Sequence, residues 1–182
     1  MNSDKKALAE KLTPFSLTIA VIILDQAVKT FIAANWPINS IVRKFFLDGS
    51  GDGILEIWHV RNKAIAFSLG GNLPEALRPF LFIVLPFAVL IFLVWYYMTS
   101  SEFTKLQRWA VAGIVGGGLG NLTDRVLRPD GVVDFISVKF YGFLGFERWP
   151  TFNVADSSVV ICVFLWLLSM LLNSNEWRSK KK

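Results

Sequence analysis

Four runs of mostly apolar residues, separated by more polar stretches, set the frame of this chain. They cover about residues 14–34, 79–98, 106–127 and 152–172. An α-helix needs about 20 such residues to cross a bilayer, so each run predicts a membrane span. The second run is the cleanest. The third is interrupted by Gly113, Gly116, Gly117, Gly118 and Gly120, a small-xxx-small pattern that lets neighbouring helices approach closely. A phosphate-binding loop is the poorer reading of these glycines, because no Lys-Ser/Thr follows them and a hydrophobic span surrounds them. The first run continues too strongly into the chain to be expected as a cleaved signal peptide.

The pattern changes between the runs. Ile54-Leu55-Glu56-Ile57-Trp58-His59-Val60 follows the turn-rich Gly49-Ser50-Gly51-Asp52-Gly53 and predicts a strand, with 39–47 as its partner. Residues 135–152 mix Phe140, Tyr141, Phe143, Phe146 and Trp149 with Lys139, Glu147 and Arg148. Rings at headgroup level with charges reaching water describe either an aromatic belt or a lid over a site. No internal repeat is visible.

Composition agrees with a membrane protein. Of 182 residues 53% are hydrophobic and only 18% charged, too apolar for an ordinary soluble domain of this length. One domain spanning 1–182 is expected. The net charge of +5 does not read as nucleic-acid binding, because the basic residues sit mostly at the ends of the apolar runs and form no stripe. Lys5, Lys6 and Lys11, then Lys105 and Arg108, then Arg178 with Lys180, Lys181 and Lys182 form three short, densely basic stretches. By the positive-inside rule these face the cytoplasm, which puts both termini inside. The connections at about 35–78 and 128–151 then lie outside. Cys162 sits within an apolar run and reads as a small buried hydrophobe. His59 is the single histidine, which excludes histidine-cluster metal sites and disfavours a Ser-His-Asp triad.

Candidate chemistry enters with the acids. Asp134 lies in the apolar run Gly131-Val132-Val133-Asp134-Phe135-Ile136, and Asp156 at the mouth of the fourth span. An acid at bilayer depth is expensive and by default marks function. With the orientation above, Asp25 and, at i+4, Lys29 fall in the outer half of the first span, as a structural pair or a supporting group. Asn121, Asp124 and Arg125 occupy the last outer turns of the third span, where Asp124 and Arg125 could pair locally. Asn153 and Asp156 share a face in the first turns of the fourth. These polar groups, with Asp134, all converge on one interface. Two close carboxylates share a proton and titrate as a unit, so one can serve as base toward water while the other polarises a carbonyl. That arrangement suits peptide hydrolysis without a covalent enzyme intermediate.

The motifs carrying this chemistry are Leu24-Asp25-Gln26-x-x-Lys29, Asn62 followed by Ala66-Phe67-Ser68, Gly120-Asn121-Leu122-x-Asp124-Arg125, Val133-Asp134-Phe135 and Phe152-Asn153-x-Ala155-Asp156-Ser157. In order and spacing they resemble the lipoprotein signal peptidase family, signal peptidase II, over about residues 15–172. The resemblance implies an aspartic endopeptidase of the bacterial inner membrane that cleaves diacylglyceryl-modified prolipoproteins just before the lipidated cysteine. It maps the catalytic pair onto Asp134 and Asp156. Asp25, Lys29, Asn62, Asn121, Asp124, Arg125 and Asn153 become substrate-binding or supporting positions. It implies a mainly α membrane fold of four transmembrane helices with an outer-face β-cradle and a short interfacial helix, no metal or other cofactor, and a monomer in contact with lipid and substrate. The family usually has Asn-x-Gly-Ala-Ala-Phe after the strand. Here Ala64 and Ile65 replace small residues, so Ala64 would carry strain if that position needs a positive φ. The chief rival reading is a transporter or proton pathway, for which intramembrane acids are equally typical. Such a protein would place polar groups at several depths or at a midplane site between repeats. A structural scaffold leaves Asp134 and Asp156 unexplained.

Overall fold

The computed structural model describes the backbone of residues 2–63 and 74–179, and the side chains of 4–63, 74 and 76–172. The Ala64–Ser68 loop motif and the lysines at 180–182 lie outside the described residues. The elements in order are α1 (Asn2–Leu12), α2 (Phe15–Asn35), β1 (Ser40–Leu47), β2 (Gly53–Asn62), α3 (Leu85–Thr99), α4 (Lys105–Leu127), β3 (Val132–Val138) and α5 (Val154–Ser179). The protein is therefore mainly helical, with one small antiparallel sheet of strand order β1-β2-β3.

Among the described residues, three helical stretches are long and apolar enough to cross a membrane: Asp4–Asn35, Phe80–Thr99 and Val154–Leu172. Their outward faces explain why. Ile19, Ile23, Leu24 and Phe31 of α2 are exposed, whereas Thr18, Val21, Asp25, Lys29 and Ile32 form its buried stripe at helical spacing. Polar groups point inward and hydrocarbon points outward, the pattern suited to a bilayer. α3 begins one turn early as a π-turn over Phe80–Val84, where the Leu85 N–H reaches back to the Phe80 carbonyl. Pro86 follows at once. Proline lacks an N–H and crowds the carbonyl four residues before it, so the widened turn fits the chain there.

α4 differs because it is the central helix, packed against α2, α3 and α5. Its start is fixed by a reciprocal cap: Thr104 Oγ1 accepts from the Gln107 N–H at 3.3 Å and Gln107 Oε1 accepts from the Thr104 N–H at 3.0 Å. A helix walled by three others needs little lipid-facing surface. Glycine, threonine and asparagine therefore replace leucine, and its hydropathy falls below that of the outer three. A Cβ at Gly117 would collide with the Ala155 carbonyl and lie 2.7 Å from Val159, so glycine is what brings α4 and α5 together.

The sheet carries β2 as expected, paired with β1 from Ser40↔His59 to Leu47↔Gly53. The third strand was not anticipated, since residues 128–151 read as an interfacial connection. β3 pairs with β2 through Val60↔Asp134, Arg61↔Val133 and Asn62↔Val132. Its signal was present in Val132-Val133-x-Phe135-Ile136, a β-branched and aromatic run. Gly131 turns the chain into β3 at φ +101°, and a Cβ there would sit 2.5 Å from the Asn62 carbonyl oxygen. The short helical piece between β3 and α5 is a single 3-10 turn, Phe143–Gly145. Arg148 ties that connection to the sheet through Ser137 Oγ at 2.8 Å, the Gly53 carbonyl at 3.0 Å and buried Glu56 at 3.3 Å.

Candidate active site

The start of α5 is a cap built from acid and amide. Asn153 Oδ1 accepts from the Asp156 N–H at 2.9 Å, and Asp156 Oδ2 accepts from the Asn153 N–H at 3.2 Å. Asn153 is the N-cap and Asp156 stands three residues on, so the Asn-x-x-Asp spacing that opens the apolar run specifies the helix start. Asp25 Oδ1 adds a second acceptor, from the Ala155 N–H at 2.9 Å. Carboxylates there also face the positive end of the helix dipole.

Asp134 reaches the same place from the sheet. The Phe152 carbonyl accepts from the N–H groups of Phe135 and Ile136 at 3.0 and 2.8 Å, and the Phe152 N–H donates to the Ile136 carbonyl. The chain leaving β3 thus returns beside it before entering α5. Asn153 Nδ2 then donates to Asp134 Oδ1 at 2.7 Å, and Asn62 Nδ2 from β2 donates to Asp134 Oδ2 at 2.9 Å. One asparagine side chain therefore touches both acids, Asp134 through its amide nitrogen and the Asp156 backbone through its oxygen. Asp134 is 1% exposed and Asp156 is half-buried. Burial pushes the Asp134 carboxyl up to about 7, the nearby Asp156 charge adds to the rise, and the Asn62 and Asn153 hydrogen bonds oppose it.

A second layer holds this pair from α2 and α4. Asn121 Nδ2 donates to Asp156 Oδ1 at 2.7 Å, while Asn121 Oδ1 accepts from Lys29 Nζ at 2.9 Å and from Asn153 Nδ2 at 3.1 Å. Lys29 is fully buried and pairs with Asp25 at 2.8 Å and Asp124 at 3.1 Å. Asp124 Oδ2 in turn accepts from the Val133 N–H at 3.0 Å, fixing the backbone next to Asp134. A buried charge is tolerated when paired and hydrogen-bonded, and each group here satisfies another.

The structure brings Asp25, Lys29, Asn62, Asn121, Asp124, Asn153, Asp134 and Asp156 into one continuous network. Arg125 faces the charges of Asp134, Asp156 and Asp124. Its guanidinium lies over the Phe82 ring, 5.4 Å from the centroid. Asp124 also pairs with Arg128, one turn on. Neighbours i and i+1 on a helix diverge by about 100°, whereas i and i+4 share a face. Gln26 and Arg128 are network members that sequence reasoning did not single out. Gln26 Nε2 lies 3.1 Å from Asp25 Oδ2 and donates to Asp124 Oδ1 at 2.9 Å and to the Gly120 carbonyl at 3.0 Å. The i+4 spacing of Arg128 from Asp124 was the available signal for the arginine.

Comparison with known proteins gives a consistent result. The family model for signal peptidase (SPase) II matches residues 17–172. A lipoprotein signal peptidase of Treponema pallidum is 40% identical over 171 residues, covering 94% of this chain and 89% of its own. One from Treponema denticola is 47% identical over 149 residues, covering 82% and 83%. A bacterial membrane enzyme solved in meso at 2.3 Å superposes with a TM-score of 0.72 at 29% identity, covering 90% of each chain.

Proposed function

Because the chain belongs to the signal peptidase II family, as a lipoprotein-processing protease, we propose that it is an aspartic endopeptidase whose catalytic pair is Asp134 and Asp156. Its substrates are diacylglyceryl-modified prolipoproteins, cut on the N-terminal side of the lipidated cysteine. The observation that carries the pair is the Asn153 side chain, shared between Asp134 at 2.7 Å and the Asp156 N–H at 2.9 Å. It supports a buried and a half-buried acid facing one reacting centre.

The chemistry follows from unequal environments. Asp134, more deeply buried and raised to about 7, holds the shared proton near neutral pH. Asp156, half-buried at the helix start, accepts a proton from water as the water oxygen attacks the scissile carbonyl carbon. Asp134 gives its proton to the carbonyl oxygen, forming a neutral gem-diol. Collapse of that intermediate returns a proton to Asp134 and passes the one held by Asp156 to the departing amine of the cysteine. The C–N bond breaks, and both acids regain their starting state. Asn62 and Asn153 keep the Asp134 carboxyl oriented, Asn121 does so for Asp156, and Asp25, Lys29 and Asp124 hold those amides in place. Arg125 is positioned to meet the substrate beside the pair.

Around this site we infer four spans, α4 being the central one, with both termini cytoplasmic and one domain over 1–182. The protein is a monomer of the bacterial inner membrane, and the site lies at the outer leaflet. The proton-pathway reading is weaker because the acids gather in one continuous network with Asn62, Asn121 and Asn153. The test is to replace Asp134 and Asp156 singly with Asn and to follow cleavage of a lipid-modified prolipoprotein in detergent. Loss of the proton carrier lowers turnover roughly 10²–10⁴-fold. Wild-type turnover in both variants rejects the pair.

A further inference from the structure

Two supporting carboxylates reach the acid pair in the same way. Asp25 Oδ1 accepts from the N–H of Ala155, the residue before Asp156, at 2.9 Å. Asp124 Oδ2 accepts from the N–H of Val133, the residue before Asp134, at 3.0 Å. Each therefore holds the backbone from which one member of the pair projects. The two carboxylates belong to different helices, α2 and α4, and two side chains of α2 bridge them. Lys29 Nζ lies 2.8 Å from Asp25 Oδ2 and 3.1 Å from Asp124 Oδ2. Gln26 Nε2 lies 3.1 Å from Asp25 Oδ2 and 2.9 Å from Asp124 Oδ1, and it donates to the Gly120 carbonyl at 3.0 Å. The helices approach so closely here that a Cβ on Gly120 would lie 2.9 Å from Asp25 Oδ2 and 3.1 Å from the Ala155 Cβ.

We infer that Gln26 is a positioning residue: with Lys29 it closes a clasp between Asp25 and Asp124, and so sets the spacing of Asp134 and Asp156. The inference rests on the pair proposed above and adds how its separation is held. The residue type fits the task. Lys29 and Arg128 already supply two positive charges against the two carboxylates. A primary amide adds N–H donors with no further charge. Glutamate at this position would press an acceptor against acceptors. A cation would add surplus positive charge near the pair and favour loss of its shared proton. Separation matters because proton sharing depends on it. Two close acids titrate as a unit with their apparent values driven apart, and that split shrinks as the acids separate. The hydrogen bonds of the Gln26 amide nitrogen end on Asp25, Asp124 and Gly120, so its effect on the pair passes through those groups.

The experiment compares the full chain with Gln26→Met and Gln26→Glu in detergent, following cleavage of a lipid-modified prolipoprotein across pH and the melting temperature of each protein. Methionine keeps the volume and removes the donors. Gln26→Met should lower kcat roughly 10–10²-fold with KM within about threefold, and its bell-shaped kcat profile should be narrower than that of the wild type. Gln26→Glu should be slow at neutral pH, and its rate relative to wild type should rise as pH falls, because a protonated glutamate regains one donor. A lower melting temperature with wild-type kcat and bell width overturns the inference, since a purely structural residue acts in that way. So does a rise in KM alone. Should Gln26→Met fail to fold, Gln26→Glu decides, and a rate that keeps a constant ratio to wild type across pH overturns the clasp. Failure of the pair itself shows separately, as wild-type turnover in Asp134→Asn and Asp156→Asn. Failure of the clasp leaves those two variants slow and Gln26→Met unimpaired.

Discussion

Asp134→Asn should make the folded protein more stable at alkaline pH while slowing cleavage roughly 10²–10⁴-fold. The physical basis is the raised carboxyl. Its folded value is about 7 against an ordinary 3.8, so the folded state holds a proton that the unfolded chain has already lost. A carboxyl shifted upward favours folding at low pH, and that advantage disappears as pH rises from about 4 to about 7. The difference of about three units, at about 1.4 kcal/mol each, puts the folded-state penalty near 4 kcal/mol above that range and near 1.5 kcal/mol at about pH 5. Asparagine, always neutral, escapes it. It loses one acceptor toward Asn62 or Asn153, a cost of about 1–3 kcal/mol that does not change with pH. Comparing the two proteins at two pH values removes that constant. The variant should gain about 2–3 kcal/mol on wild type between pH 5 and pH 8, or roughly 5–10 °C in melting temperature for a chain of this size. Thermal unfolding in detergent, followed through the seven tryptophans, gives the number. A gap between the two proteins that stays constant with pH refutes the reasoning, as does a variant less stable than wild type at pH 8.

Three further outcomes are expected. The rate profile kcat/KM should decline above about pH 7 as Asp134 loses its proton, and a profile flat to about pH 9 removes Asp134 as the acid. Lys29→Met leaves the Asp25 and Asp124 carboxylates facing each other with no lysine between them. It should destabilise the protein by roughly 3–5 kcal/mol in chemical unfolding, and a change below about 1 kcal/mol contradicts the buried network. Gly117→Ala drives a Cβ into the Ala155 carbonyl and forces α5 away from α4, carrying Asp156 with it. Because a misplacement of about 1 Å can lower the rate about 10²-fold, cleavage should drop steeply in protein that still inserts, and unchanged turnover would show that the α4–α5 approach does not set the site.

What the chain's own pattern decided is local. The apolar runs specify long helices, because lipid contact or burial must be matched residue by residue. Asp25 and Lys29 fall four apart, and Asn153 and Asp156 three apart, so helical geometry alone puts each pair on one face. The alternating stretch after Gly53 specifies its strand by the same kind of short-range rule. Tertiary structure decided everything that crosses between elements. Asp134 reads in sequence as an acid stranded in an apolar run. It comes to share the Asn153 side chain with Asp156 because β3 docks on β2 and Phe152 bridges back to Ile136. Asp124 meets Arg128 and Lys29, and Arg125 lies over Phe82, because packing against α2 and the start of α3 fixed which face of α4 looked inward. α4 is less apolar than the other long helices because α2, α3 and α5 surround it. Periodicity reports only which side of an element is buried. Which partner it is buried against depends on backbone approach and register, and these exist only once the helices and strands have assembled.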